Sequence, residues 1–212
     1  MASPERERRV PPCEAVLCDL DNVVRFYDLT EVARLEAVAG LPVGTTAEIA
    51  YAPERDLPLL LGRSTREEWR RSVAAGLRAF VPAARAEVLA REFAYAPSFV
   101  DPAVVALLRR VRVPLVLVTN AAPWLDEDLV RLGIADLAAH VVNSSAVGIA
   151  KPDPGIYELA SECVEVPPAR CLFVDDRAEN LLSAAALGMR TVHYREVADL
   201  RTALTPVLFS AA

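Results

Sequence analysis

The chain has 212 residues and almost no lysine: 22 arginines stand against a single lysine, Lys151. Arginine is a planar fork of donors, whereas lysine is a compact ammonium on a flexible stem. A chain that drops lysine wherever it is dispensable keeps one where only the compact charge serves. Lys151 is therefore a functional candidate, set in the turn Lys151-Pro152-Asp153-Pro154 ahead of a helix. Histidine is nearly as scarce. His140 and His193 stand in or beside apolar runs with no serine or cysteine nucleophile motif, so both read as structural. The four cysteines, Cys13, Cys18, Cys163 and Cys171, form no C-x-x-C pair, and the first twelve residues are charged and proline-rich. The expectation is a cytoplasmic protein with reduced, mostly buried thiols and no signal peptide. No apolar stretch is long enough to span a membrane. No long basic run exists, Arg6–Arg9 reads as a solvated tail, and the net charge of −6 argues against a nucleic-acid partner. After the first apolar run stands Asp21-Asn22-Val23-Val24, which excludes the G-x-G-x-x-G of a dinucleotide-binding strand. There is no internal repeat and no low-complexity segment.

What is present is a set of polar pieces, each where a strand ends or a helix begins. The apolar run Ala15-Val16-Leu17-Cys18 leads into Asp19-Leu20-Asp21. In a strand, residues i and i+2 share a face, so Asp19 and Asp21 leave it together. Two carboxylates that close repel each other unless a cation or a reaction needs them. Leu115-Val116-Leu117-Val118 ends in Thr119-Asn120. Cys171-Leu172-Phe173-Val174 ends in Asp175-Asp176, with Asn180 four residues on. In open parallel α/β sheets, ligands collect at these strand ends.

Hydrophobic content of 53% supplies a real core, in one or two domains. Residues 15–20 read as a buried strand. Residues 28–96 read as helices. Thr30 is a candidate cap for 31–39, which Gly40 ends, and Ser64 with Glu67 fits a capping box. Trp69, Val73, Leu77 and Phe80 then fall on one helical face, and a further helix runs from Glu87 towards Phe93. From Asp101-Pro102, an N-cap with proline at the first helical position, strand and helix alternate. Leu107, Leu108 and Val111 form that helix's apolar side. Strands are expected at 115–118, 140–143, 172–174 and 191–193, with helices at 125–132, 154–163 and 179–187, the last ended by Gly188. Alternation of this kind implies a parallel sheet.

The four polar pieces, in this order, resemble the haloacid dehalogenase-like hydrolase superfamily over nearly the whole chain, in its phosphatase type. The resemblance implies an α/β fold: a Rossmann-like three-layer sandwich with a central parallel sheet plus a small all-helical cap. Residues 1–12 become a flexible lead-in, residues 13–24 and 98–212 the catalytic core, and residues 25–97 the cap. The first strand then lies at the centre of the sheet, with Asp19 near Asp175 and Asp176. Four converging carboxylates leave about −4 in a small cleft, which is very costly. A phosphate monoester adds roughly −2. Such a site calls for cations, and hard carboxylate oxygens suit Mg²⁺.

The roles implied are those of a Mg²⁺-dependent phosphatase of small phosphorylated metabolites. Asp19 is the nucleophile that forms an aspartyl phosphate. Asp21 protonates the leaving alcohol and then activates water. Thr119 holds a phosphoryl oxygen, helped by backbone N–H groups near Asn120 and Ala121, and Lys151 binds phosphate and restrains Asp19. The metal falls to the Asp19 carboxylate, the Asp21 carbonyl and Asp176, with Asp175 acting through water and Asn180 steadying Asp176 or Lys151. The family has glycine after its second aspartate. Here it is Asn22, the non-glycine residue most tolerant of left-handed geometry, so the turn is expected to form. Trp69 reads as cap core, while Tyr27, Tyr51, Arg25 and Arg70 are candidates to face substrate.

Five alternatives are weighed against this. Dehalogenases of the superfamily lack the second aspartate, and phosphonatases need a cap lysine that this chain does not have. A phosphomutase on the same fold, or a non-catalytic binding protein, is the remaining alternative. Response-regulator receivers use similar residues but place their paired acids early, whereas here Asp175-Asp176 comes last. An apolar cap face would allow a homodimer.

Overall fold

The computed structural model describes residues 13–208. The lead-in reading of residues 1–12 and the end of the core span, residues 209–212, lie outside the described residues. The apolar run at the start forms β1 (Ala15–Cys18), every residue of it buried. It is followed by a short strand, β2 (Arg25–Tyr27). Five helices come next: α1 (Thr30–Ala39), α2 (Thr45–Ala50), α3 (Pro53–Leu60), α4 (Arg66–Leu77) and α5 (Ala83–Ala94). The chain returns through β3 (Ser98–Val100) and α6 (Pro102–Leu108). Strand and helix then alternate: β4 (Leu115–Thr119), α7 (Leu125–Arg131), β5 (His140–Asn143), α8 (Ser144–Val147), α9 (Pro154–Glu162), β6 (Cys171–Asp175), α10 (Ala178–Ala186), β7 (Arg190–His193) and α11 (Val197–Leu204).

The main sheet has the order β5-β4-β1-β6-β7, and all its pairings are parallel. β1 lies in the middle, with Cys18 in register with Leu117 of β4 and Val174 of β6. The side-chain period of two sorts the core into two layers. Val16 and Cys18 pack with Leu117, Leu129, Leu200 and Leu204 on one face. Ala15 and Leu17 pack with Val118, Ile156, Phe173 and Ala184 on the other. Both faces of the sheet are therefore covered by helices, which makes a three-layer α/β sandwich. The five inserted helices close around a third cluster containing Trp69, Val73, Leu77, Leu89 and Phe93. No described helix is long and apolar enough to cross a membrane.

Local signals locate most elements, with four differences. β2 and β3 pair antiparallel as a ribbon at the base of the helical insert, Phe26 opposite Phe99, with their rings stacked at 5.9 Å. Three-residue strands are too short to leave a period in the sequence. The capping box lies one residue later than expected. The Thr65 side chain accepts from Glu68 N–H, and Glu68 accepts from Thr65 N–H at 2.8 Å. Thr30 is the first residue of α1 rather than its cap, and Asp28 Oδ1 accepts its N–H at 3.0 Å. Phe80 is 62% exposed, because α4 ends at Leu77 and the helical face it was to share ends there. Cys13, Cys18 and Cys171 are buried thiols, while Cys163 is exposed.

Candidate active site

β1, β4 and β6 all end at the same edge of the sheet, and their next residues converge. Asp19 follows β1, Thr119 closes β4, and Asp175 closes β6. Lys151 reaches them from the turn before α9. Its Nζ lies 2.7 Å from Asp19 Oδ1 and 2.8 Å from Asp175 Oδ2, with all three residues almost wholly buried. Asn120 holds the lysine backbone in place: its amide accepts Lys151 N–H at 2.7 Å and donates to Lys151 C=O at 2.9 Å. Burial works against the Lys151 ammonium, but the two carboxylates outweigh it and raise its pKa.

Asp19, Asp175 and Asp176 each offer a carboxylate oxygen within 4.8 Å of the others. One ammonium cannot neutralise three carboxylates. Burial accordingly pushes the Asp19 carboxyl up, against the pull of Lys151. Half-buried Asp176 is also raised by burial and by Asp175, with a hydrogen bond from the Asn22 side chain opposing it. An all-oxygen set of this charge fits a hard divalent cation such as Mg²⁺. Asp175 has little freedom left. It accepts Lys151 Nζ, Arg177 N–H at 2.8 Å and the Asn180 amide at 2.9 and 3.1 Å. Asp176 is the less engaged of the pair.

Asn180 thus steadies Asp175, where the sequence pointed to Asp176 or Lys151. The Ala121 N–H, expected to face phosphate, donates instead to Ser144 Oγ at 3.2 Å. Thr119 behaves differently: its hydroxyl is buried and has no hydrogen-bond partner. Asn22 takes φ +60°, the left-handed turn expected of it, and adds a side-chain bond to Asp176 that glycine could not make.

Asp21 turns towards the helical insert, where Arg25 of β2 grips it. The guanidinium gives Nε to Oδ1 at 2.6 Å and one terminal nitrogen to Oδ2 at 2.9 Å. The other terminal nitrogen reaches Asp128 of α7 at 3.2 Å. Arg25 is 2% exposed. Burial alone would lower its pKa, but the Asp21 carboxylate overcomes this and holds the charge. Tyr27 and Tyr51 line the same cavity as Asp21, whereas Arg70 is bound to Glu67 and Glu87 on the outer face of the insert. Trp69 belongs both to the insert's core and to the cavity wall. Asp56, Trp124 and Asp128 also line it, and no sequence signal singled them out. His193 Nε2 donates to the Asp176 carbonyl, 2.9 Å away, and His140 opens β5 exposed, so neither enters the acidic cluster.

The sequence profile of a family described as haloacid dehalogenase-like hydrolase matches residues 13–188. Phosphatase MT3486 of Mycobacterium tuberculosis is 28% identical over 193 residues, spanning 83% of this chain and 84% of its own. Among solved structures, the HAD family enzyme bt-2542 from Bacteroides thetaiotaomicron, in complex with magnesium and inorganic phosphate, has a TM-score of 0.66 at 18% identity. That alignment covers 86% of this chain and 94% of the enzyme. An L-2-haloacid dehalogenase from Xanthobacter autotrophicus, with chloropropionic acid covalently bound, has a TM-score of 0.61 at 19% identity, covering 93% of this chain and 84% of its own. At these identities the two structures testify to the fold.

Proposed function

We propose that this chain, which belongs to the haloacid dehalogenase-like hydrolase family, is a Mg²⁺-dependent phosphatase of small phosphomonoesters. The observation that carries the reading is the trio Asp19, Asp175 and Asp176 with one ammonium among them. Its surplus negative charge suits a cation and, with the cation, a phosphate dianion. The Thr119 hydroxyl, buried without a partner, supports the same reading as a donor waiting for a phosphoryl oxygen.

Asp19 and Asp176, with the Asp21 carbonyl, would hold the Mg²⁺, which when bound offsets charge on phosphate oxygens. Both bonds made by Asp19, from Lys151 Nζ and from Leu20 N–H at 2.7 Å, fall on Oδ1. Oδ2 is then the oxygen left to attack phosphorus. Asp21, released from Arg25 and protonated for this step, gives its proton to the departing alkoxide as the P–O bond breaks and an aspartyl phosphate forms. It next takes a proton from water, whose oxygen attacks phosphorus and frees Asp19 and inorganic phosphate. Lys151 and Thr119 hold the phosphoryl group in place through both steps, which is most of what phosphoryl transfer asks of a protein.

Structural neighbours include dehalogenases, so the assay must read both products. Phosphate release from a broad panel of phosphomonoesters is measured with Mg²⁺ and with EDTA, beside halide release from 2-haloacids. The expected outcome is phosphate release that EDTA and Asp19→Asn both abolish. Halide release without phosphate release would assign the chain to the dehalogenases instead.

A further inference from the structure

A cavity of about 110 Å³ lies between the helical insert and the loop after β4, with Asp21 in its wall. Five aromatic residues also line it: Tyr27, Tyr51, Trp69, Phe93 and Trp124. The Tyr51 and Trp69 rings both rest against Phe93, with centroids 5.6 and 5.9 Å away. Such walls favour a flat apolar or cationic guest. A closed apolar cavity of about 150 Å³ holds benzene, so the space within these walls is on the scale of one ring.

The charges in the wall narrow the guest further. They are Asp21, Asp56 and Asp128 against Arg25 alone. Arg25 is fully committed, twice to Asp21 and once to Asp128. The Asp56 carboxylate has no ion pair or hydrogen bond among the described residues. Burial pushes its pKa up to about 6, and the cation that pulls on it from a distance, Arg177, is itself paired with Glu179. Arg66 lies flat on Trp124, 4.1 Å from its ring centre, and is not among the lining residues. A second anion on a substrate would meet the unpaired Asp56 and no uncommitted cation.

Resting on the phosphatase reading, we propose that this cavity receives the leaving alcohol and selects phosphomonoesters of small, flat alcohols that carry an amine or no charge. Asp56 is the partner of the amine. Esters with a second anionic group are rejected.

The test uses three matched substrates: 4-(aminomethyl)benzyl phosphate, benzyl phosphate and 4-carboxybenzyl phosphate. Their common methylene keeps the leaving alcohols similar in basicity. With Mg²⁺, kcat/KM is expected to be at least tenfold higher for the amine than for the carboxylate, and Asp56→Asn should shrink that ratio several-fold. A carboxylate ester hydrolysed as well as the amine overturns the selectivity and leaves the phosphatase standing. The three alcohols alone, added to the intact protein in a thermal shift assay, read the cavity without turnover. If no ester is hydrolysed but the amine alcohol raises Tm more than the carboxylate alcohol, the phosphatase reading fails and the cavity assignment survives. If the alcohols are not distinguished either, both fall.

Discussion

Asp19 and Lys151 depend on each other at a scale of a few ångströms, and so do their expected losses. Asp19→Asn removes the attacking carboxylate, and phosphate release should fall to background in a steady-state assay. Thr119→Val removes the orphan hydroxyl while keeping the shape of the side chain. Losing one donor aimed at a reacting oxyanion costs about 10²–10³ in kcat, so Thr119→Val should fall in that range while Thr119→Ser keeps most activity. Asn180→Ala leaves the fully buried Asp175 short of a donor, and should lower stability by about 1–3 kcal/mol in a urea titration. Much of this site was legible in the sequence. Asp19, Thr119, Lys151 and the Asp175-Asp176 pair each close an apolar run or open a helix, which puts them at one edge of a parallel sheet, and the family resemblance supplied the strand order that brings Asp19 beside Asp175. The partner of Asn180 was not legible. Whether Asn180 meets Asp175 or Asp176 depends on which carboxylate turns back over α10, and that rotation leaves no trace in residue order. Arg25 was equally opaque, since its hold on Asp21 arises from a ribbon too short to read.

At the level of elements, the insert is fastened by caps and one close approach. The α4 capping box contributes about 1 kcal/mol, so Thr65→Ala should lower Tm by a few degrees without altering the core chemistry. Gly62, between α3 and α4, has φ +70°, and a Cβ there would lie 2.2 Å from the Ser145 carbonyl oxygen of α8. Gly62→Ala would strain the backbone and push the insert away from the sheet domain. The expected result is a raised KM with a smaller change in kcat, read from substrate titration of the purified variant. Helix ends were legible where the signal was a glycine in the left-handed region, as at Gly40 and Gly188. The slip from Ser64 to Thr65 came from two adjacent hydroxyl residues, each with a glutamate three residues on, which only the backbone angles distinguish.

For the whole molecule, stability should respond to metal and to pH. A cation that binds the folded state at a hundredfold its Kd adds about 2.7 kcal/mol, so Mg²⁺ should raise Tm, and Asp176→Asn should blunt the rise. Asp56 sets an opposite trend. Its folded pKa of about 6 lies above its ordinary value of 3.8, so between those values the folded state holds more protons than the unfolded chain. Stability from this group is therefore present at the acid end and falls as pH rises through that window. Asp56→Asn should be more stable than the parent at pH 8, by about 1 kcal/mol after allowing for its partial exposure, and the two should converge near pH 4. Calorimetry across that range would reveal a difference of the wrong sign.

The solitary lysine has one further consequence. Lys151 carries the chain's one side-chain amine, it is 5% exposed, and its flanking carboxylates keep it protonated. An acylating reagent should then mark this side-chain amine only when the strand ends come apart. Each mass increment on Lys151 records one opening of the acidic cluster. Its rate, with and without Mg²⁺, becomes a clock for that motion built into the covalent chain.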